Sequence, residues 1–100
     1  MATYIGLTNF TDQGIRSIKE TTKRADGVRK AAGKFGVTVK EIFWTLGQYD
    51  LVTIFEAPDD ASVSAFGLSL AVAGNVRTQT MRAFSKEEMN GILGRMTNGK

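Results

Sequence analysis

The chain has 100 residues, of which 42% are hydrophobic, and its formal net charge is +3. This size and composition are typical of one globular domain with one core. The chain contains neither cysteine nor histidine, which excludes disulfides, thiolate zinc sites and histidine-based catalytic triads. No apolar run reaches the roughly 18 residues that a membrane-spanning helix needs, and residues 1–10 lack the features of a signal peptide. We therefore expect a soluble cytoplasmic protein.

The positive charge is concentrated in one part of the chain. Residues 16–40 hold eight basic residues against Glu20 and Asp26, and such a patch could attract nucleic acid or an anionic partner. Acidic and basic residues alternate there at helical pairing distance, as in Glu20 with Arg24 and Asp26 with Lys30. This interleaving favours a solvated helix face over nucleic-acid binding.

The first predicted elements are a strand and a long helix. Residues 3–10 form a short uncharged segment typical of a strand, and Thr11 and Asp12 supply cap oxygens and negative charge for a helix start. We expect this helix to bend near Asp26–Gly27 and to end at Gly36, which can adopt a left-handed conformation. Steps of three and four predict one helical stripe, formed by Ile15, Ile18, Thr22, Ala25, Val28, Ala32 and Phe35.

A hairpin and a second helix follow. Residues 37–46 and 50–57 predict two strands, joined by the short connection Gly47–Tyr49. Pro58 ends the second strand because it has no N–H for a strand ladder. The next helix is predicted over residues 61–73.

The remaining elements are a fourth strand and a terminal helix. Asp59–Asp60 provide the cap of the second helix, and Gly74–Asn75 end it. Residues 76–84 predict the fourth strand, and Ser85 with Glu88 forms a capping box for the last helix. The apolar side of that helix consists of Met89, Ile92, Leu93 and Met96.

The order strand-helix-strand-strand-helix-strand predicts an α+β fold of the ferredoxin-like kind. It consists of a four-stranded antiparallel sheet with helices on one face, here with an extra C-terminal helix. We expect one domain over residues 1–96 and a frayed tail at residues 97–100.

Apolar residues are expected on both faces of this sheet, because successive side chains of a strand alternate. In the third strand they are Leu51, Val52, Ile54 and Phe55. In the second strand one parity holds Ile42, Trp44 and Leu46, and the other holds Val39 and Phe43. Two helices cover only one face, and a solvated face is normally polar. Either the short terminal helix or a second copy of the sheet must cover the other face, and a two-fold homodimer is favoured.

The second helix gives a weaker indication of contact. No charged residue occurs between Ala61 and Val76, although a solvent-facing helix usually carries charge on its outer side. This segment is either a neutral exposed face or a second contact surface, against the terminal helix or another subunit.

Five short segments stand in a familiar order between Tyr4 and Leu93. They are Thr11-Asp12-Gln13-Gly14, Gly47-Gln48-Tyr49-Asp50, Glu56-Ala57-Pro58-Asp59, Gly74-Asn75-Val76-Arg77-Thr78 and Arg82-Ala83-Phe84. Together they resemble the GYD family, a group of small bacterial proteins named after a Gly-(x)-Tyr-Asp turn. The resemblance implies a fold of the dimeric α/β-barrel type, in which two ferredoxin-like sheets pack face to face. It implies no settled activity.

The candidate ligand-binding residues are Trp44, Tyr49, Asp50, Glu56, Arg77 and Arg82, with Tyr4 as a further candidate. None is assigned a catalytic role. Tyr49 and Asp50 also have a structural explanation, since Asp can accept hydrogen bonds from turn N–H groups and Tyr can pack over a hairpin. Glu56 is expected either to pair with an arginine of the last strand, Arg77 or Arg82, or to lie beside a pocket. The walls of a pocket are expected to be Trp44, Thr53, Phe55 and these arginines, with the Gly47–Asp50 turn at the rim.

Two functions remain open at this point, and neither is expected to use a metal or a cofactor, since no phosphate-binding loop occurs. The first is a non-catalytic homodimeric module that binds a small ligand or a protein partner. The alternative is a cofactor-free enzyme, oxygenase- or isomerase-like, acting on a small organic substrate. It would use Tyr49, Asp50, Glu56 or an arginine as acid, base or anion clamp. A carboxylate with a raised pKa in a closed pocket would favour the enzyme.

Overall fold

The computed structural model describes residues 1–96 and shows a four-stranded antiparallel sheet in the order β2-β3-β1-β4. Its elements are β1 (Ala2–Phe10), α1 (Asp12–Arg16), a 3-10 turn (Ile18–Glu20), α2 (Thr21–Gly33), β2 (Thr38–Trp44), β3 (Leu51–Ala57), α3 (Asp60–Ala73), β4 (Val76–Ala83) and α4 (Lys86–Gly94). The predicted ferredoxin-like α+β fold with a C-terminal helix is confirmed. The tail predicted at residues 97–100 lies outside the described residues. Across residues 1–96, no helix has the length and apolar character needed to cross a membrane.

The long helix predicted after β1 is broken, and the break is not at Asp26–Gly27. It lies at Ser17–Glu20, between α1 and α2. The guanidinium of Arg24 reaches back and donates to the carbonyl and hydroxyl of Ser17, at 2.9 and 2.7 Å, and to the carbonyl of Gly14 at 3.2 Å. These bonds connect the end of α1 to α2, and the Ser17 carbonyl also accepts the N–H of Glu20 at 3.0 Å. The prediction of one helix bent at the glycine is therefore wrong.

The other helix ends follow the sequence. Gly36 has a φ of 73° and Gly74 a φ of 86°, the left-handed conformation expected at helix ends. The carboxylate of Asp59 accepts a hydrogen bond from a backbone N–H of the first turn of α3, which lowers the pKa of Asp59. The predicted capping box of Ser85 and Glu88 is present at the start of α4.

The core lies between one face of the sheet and helices α2 and α3. Phe55 is at its centre, with its ring centroid 5.9 Å from that of Tyr4 and 6.4 Å from that of Phe66. The buried apolar residues are Tyr4, Ala32, Val37, Val39, Phe55, Ala57, Val63 and Phe66. All the strand residues among them face the helices, so the opposite face of the sheet contributes nothing to this core.

Strand β2 contains an irregularity that changes which side chains face the helices. Its pairing with β3 shifts between Val39 and Glu41, and an extra residue reverses the alternation of side chains. Val39 therefore lies opposite Phe55 and is buried, while Phe43 points to the other face. The prediction that Val39 and Phe43 share a face is wrong. Leu46 lies beyond the end of β2 and is fully exposed, so it belongs to neither face.

The segments that follow β1 and α3 are locked together. The N–H of Thr11 donates to the carbonyl of Asn75 at 3.0 Å, and its hydroxyl donates to the carbonyl of Gly74 at 2.5 Å. The side-chain amide of Gln13 donates to the Asn75 side chain at 3.0 Å. Gly14 completes this contact, since a Cβ at that position would lie 2.1 Å from the carbonyl oxygen of Asn75. Only glycine allows this approach without displacing the backbone.

Replacing Gly14 by alanine tests this packing, with Gly27 as the matched control. We expect Gly14→Ala to lower the free energy of unfolding by about 1–3 kcal/mol, because the new methyl group overlaps the Asn75 carbonyl. Gly27 lies inside α2 with no atom within 4 Å of an added Cβ, so Gly27→Ala should raise stability by roughly 0.5–1 kcal/mol. Urea unfolding measures both, and equal stabilities of the two variants would contradict the close approach.

Candidate functional site

The face of the sheet turned away from the helices carries a continuous apolar patch, which we call the open face. In register, Phe43, Val52 and Leu7 form one row across the sheet. Ile54, Ile5 and Met81 form the next row, with Glu41 of β2 beside Ile54 at its edge. Phe43 is 49% exposed and Met81 is 39% exposed. The uncovered face expected from side-chain alternation is therefore present, and it includes β1 and β4 as well as β2 and β3.

Charged residues stand at opposite ends of the open face. Glu56 lies beside Thr3 of β1, whereas Arg77 lies beside Asn9, six residues further along the same strand. Six residues of a strand span about 20 Å, so these two side chains do not meet within one chain. Arg82 lies on the helix side of β4 and also cannot reach Glu56. The predicted pairing of Glu56 with Arg77 or Arg82 is wrong.

The turn between β2 and β3 is bound to the end of the sheet. A carboxylate oxygen of Asp50 accepts the N–H of Phe10 at 2.9 Å, and the N–H of Asp50 donates to the carbonyl of Thr8 at 2.9 Å. The hydroxyl of Tyr49 donates to the side-chain carbonyl of Gln79 on β4 at 3.1 Å. These contacts support the structural explanation of both residues, because the turn ties β3, β1 and β4 together.

A small cavity of about 80 Å³ lies between the sheet and helices α2 and α3. Trp44 lines it, and the indole N–H of Trp44 donates to the hydroxyl of Thr21 at 3.1 Å. Thr53 also lines it, as predicted for a pocket wall. Phe55 and the arginines of β4 do not, so the expected pocket is assembled only in part.

A cluster of polar and aromatic side chains surrounds the end of β4. The guanidinium of Arg82 lies over the rings of Phe84 and Tyr4, 4.5 and 5.7 Å from their centroids, and forms an ion pair with Glu88 at 2.9 Å. The hydroxyl of Tyr4 donates to the carboxylate of Asp60 at 2.5 Å. This hydrogen bond, together with burial, raises the pKa of Tyr4. The sequence pattern assigned Asp60 to helix capping alone, and no local signal indicates its contact with a residue 56 positions away.

The carboxylates proposed for the enzyme alternative, Asp50 and Glu56, do not line the cavity beside Trp44. Asp50 is bonded to a backbone N–H, and Glu56 lies at the end of the open face. Hydrogen bonds lower the pKa of two other carboxyl groups, Asp59 and Glu88.

A ferredoxin-like sheet with helices on one face and an uncovered apolar patch on the other defines the structural class of this protein. Within that class the particular family is shown by sequence: the GYD domain model matches residues 4–93, and the chain belongs to the GYD family. This confirms the resemblance carried by the five short segments.

The chain is similar in sequence to a named protein and in fold to solved structures. A Thermus thermophilus protein named glutamine synthetase and cystathionine beta-lyase binding protein is 37% identical over 84 residues, which is 83% of this chain and 88% of that protein. The crystal structure of TTHA0845 from Thermus thermophilus has a TM-score of 0.54 at 23% identity, over 85% of this chain and 95% of that one. The C-terminal domain of MgtC from Mycobacterium tuberculosis has a TM-score of 0.51 at 14% identity, over 81% and 85% of the two chains. These structural matches agree with the fold.

Substitutions in the turn distinguish its structural role from a binding role. Asp50→Ala should lower the free energy of unfolding by about 1.5–3 kcal/mol, because the Phe10 N–H loses a charged acceptor. Tyr49→Phe removes an exposed hydrogen bond and should change stability by no more than about 0.5 kcal/mol. Thermal and urea unfolding measure both. If Asp50→Ala is as stable as the parent chain, Asp50 is not a structural residue of the turn.

Proposed function

We propose that this chain is a non-catalytic homodimeric module that binds a protein partner. The observation that carries the proposal is the open face, where large apolar side chains lie on the side of the sheet opposite to the core. Contiguous exposed apolar patches of this kind mark interaction sites in soluble proteins. Helix α4 leaves the open face uncovered, since it makes no extensive contact with any strand in residues 1–96.

A second copy of the same face is a suitable cover. A two-fold contact requires a self-complementary surface, and a patch of Ile, Leu, Val, Phe and Met meets this requirement by burial alone. The charged residues at the two ends of the open face agree with such a pairing. A two-fold axis that lies in the interface and runs across the strands brings the Glu56 end of one face over the Arg77 end of the other.

The proposal of a protein partner rests on the Thermus thermophilus relative, whose name states that it binds two enzymes. We extend this role to the present chain: its partner is an enzyme of that kind, glutamine synthetase or cystathionine beta-lyase. The cavity beside Trp44 is too small for an ordinary ligand. Its volume of about 80 Å³ is far below the roughly 300–1,000 Å³ of ordinary ligand pockets.

Placing a charged residue on the apolar open face tests the proposed dimer. We expect the unmodified chain to sediment at micromolar concentration with at least twice its 10.9 kDa mass, and Phe43→Glu to sediment with half the mass of the unmodified chain. Phe43 is half exposed, so the folded chain tolerates the charge, whereas a sheet-to-sheet interface would bury it without a partner. Leu46→Glu is the matched control, because Leu46 is fully exposed outside the sheet. A monomeric parent chain, or a Phe43→Glu variant with the same mass as the parent chain, would overturn the proposal.

Binding to glutamine synthetase and cystathionine beta-lyase tests the proposed protein partner directly. The purified glutamine synthetase and cystathionine beta-lyase of the source organism are each immobilised at high density and exposed to the chain. We expect saturable binding to at least one enzyme, and binding at least about tenfold weaker for Phe43→Glu, because a monomer loses the avidity of two linked contacts. Leu46→Glu should bind like the parent chain. Absence of binding to both enzymes by a folded dimer would contradict this partner assignment.

A further inference from the structure

Helix α4 extends from the domain with its apolar side unpacked. Met89 and Leu93 are spaced to lie on one side of the helix, Met96 follows the end of the helix, and all three are exposed. The radius of gyration is 15.7 Å and the longest dimension is 58 Å, whereas a compact domain of 100 residues has a radius of about 13 Å. The helix therefore forms an arm that buries little of its own apolar surface within the described chain.

Hydrogen bonds at the start of α4 fix the direction in which this helix projects. Glu88 accepts the backbone N–H of Ser85 at 3.0 Å and the guanidinium of Arg82 at 2.9 Å, while Ser85 caps the N–H of Glu88 at 3.1 Å. The Ser85 N–H and the guanidinium lower the pKa of Glu88, so its carboxylate is charged at neutral pH. Only Phe84 and Ser85 separate α4 from β4. A linker this short and this well bonded holds α4 away from the surface of its own helix α3.

A groove on the helix side of the same molecule contains apolar side chains that can pack against those of α4. It lies between α3 and the edge strand β4 and has a volume of about 600 Å³. Polar and charged groups line one end of it, and its lining residues are Tyr4, Asp60, Val63, Ser64, Gly67, Leu68, Ala71, Thr78, Thr80 and Arg82. Leu68 is 69% exposed, and Val72 beside it is 87% exposed. Helix α3 carries no charge after Asp60, which is typical of a helix whose outer side is covered in an assembly.

The groove and the arm match in length. The groove follows α3 from Val63 to Ala71, nine residues, and α4 also has nine residues, so both span about 12 Å. One charged pair also matches when α4 runs antiparallel to α3. Arg95, at the end of α4, then lies near Asp60, which lines the groove.

We propose that α4 of a second copy of this chain occupies the groove between α3 and β4, and that the exchange is reciprocal. Each α4 then buries Met89 and Leu93 against Leu68 of its partner. A reciprocal exchange closes both grooves in a two-fold dimer and leaves no open end. The contact lies on the opposite side of the sheet from the open face, so it is tested separately from the proposed open-face pairing.

Disulfide trapping tests the exchange cleanly, because the chain contains no cysteine. In the antiparallel arrangement Leu68 of one copy faces Met89 of the other. We expect the double variant Leu68→Cys with Met89→Cys to form a covalent dimer in dilute solution under mild oxidation, and each single variant to remain non-covalent. The control, Leu46→Cys with Met89→Cys, places a thiol on a fully exposed position outside both proposed contacts and should not crosslink.

Each other outcome of the trapping experiment overturns the exchange. An intrachain disulfide, seen as an oxidised monomer without free thiols, would mean that α4 folds back onto its own groove. Equal crosslinking in the Leu46 control and the Leu68 variant would mean that the thiols meet by random collision and that α4 does not occupy the groove. No crosslink in the Leu68 variant would mean that α4 does not reach the groove. Failure of the exchange leaves the Phe43→Glu result unaffected, because Phe43 is on the other face of the sheet.

Discussion

The alternation of side chains across β3 and β1 is the constraint on which the rest of this structure depends. Phe55 on one face organises the core with Tyr4 and Phe66, while Ile54 and Val52 point the opposite way. Two helices can cover one face of a four-stranded sheet, and both do so on the Phe55 side. The same strand of seven residues thus builds a folded core on one face and leaves an apolar surface on the other.

The segments that identify the GYD family hold this sheet together at its end. Thr11 and Gln13 are bonded to the segment around Asn75, and Asp50 is bonded to the backbone of β1. The turn that gives the family its name therefore joins the hairpin to the central strand. Its residues resemble a binding site in composition, but their hydrogen bonds are made within the chain. The proposed function therefore rests on the face of the sheet rather than on the turn.

Much of the architecture could be predicted because it depends on local signals. Glycine at helix ends, the Ser85–Glu88 capping box and the alternation of β3 each act within a few residues. The features that differ from the sequence-based prediction have non-local causes. The guanidinium of Arg24 breaks the first helix by bonding to Ser17 and Gly14, and a shift in the pairing of β2 turns Val39 inward. The candidate site residues were dispersed for the same reason: strand register, which the residue pattern does not contain, separates Glu56 from Arg77.

In the proposed function, the chain acts by binding other molecules through its apolar sheet face and its projecting helix. The contacts between copies of the chain then determine which surfaces remain for a partner. The central claim is that the open face is covered by the open face of a second copy. An isotope-filtered nuclear Overhauser experiment on a mixture of labelled and unlabelled chains tests it most directly. The account predicts intermolecular contacts between the methyl groups of Val52 or Ile54 and the ring of Phe43. Intermolecular contacts that omit all three of these residues would contradict it.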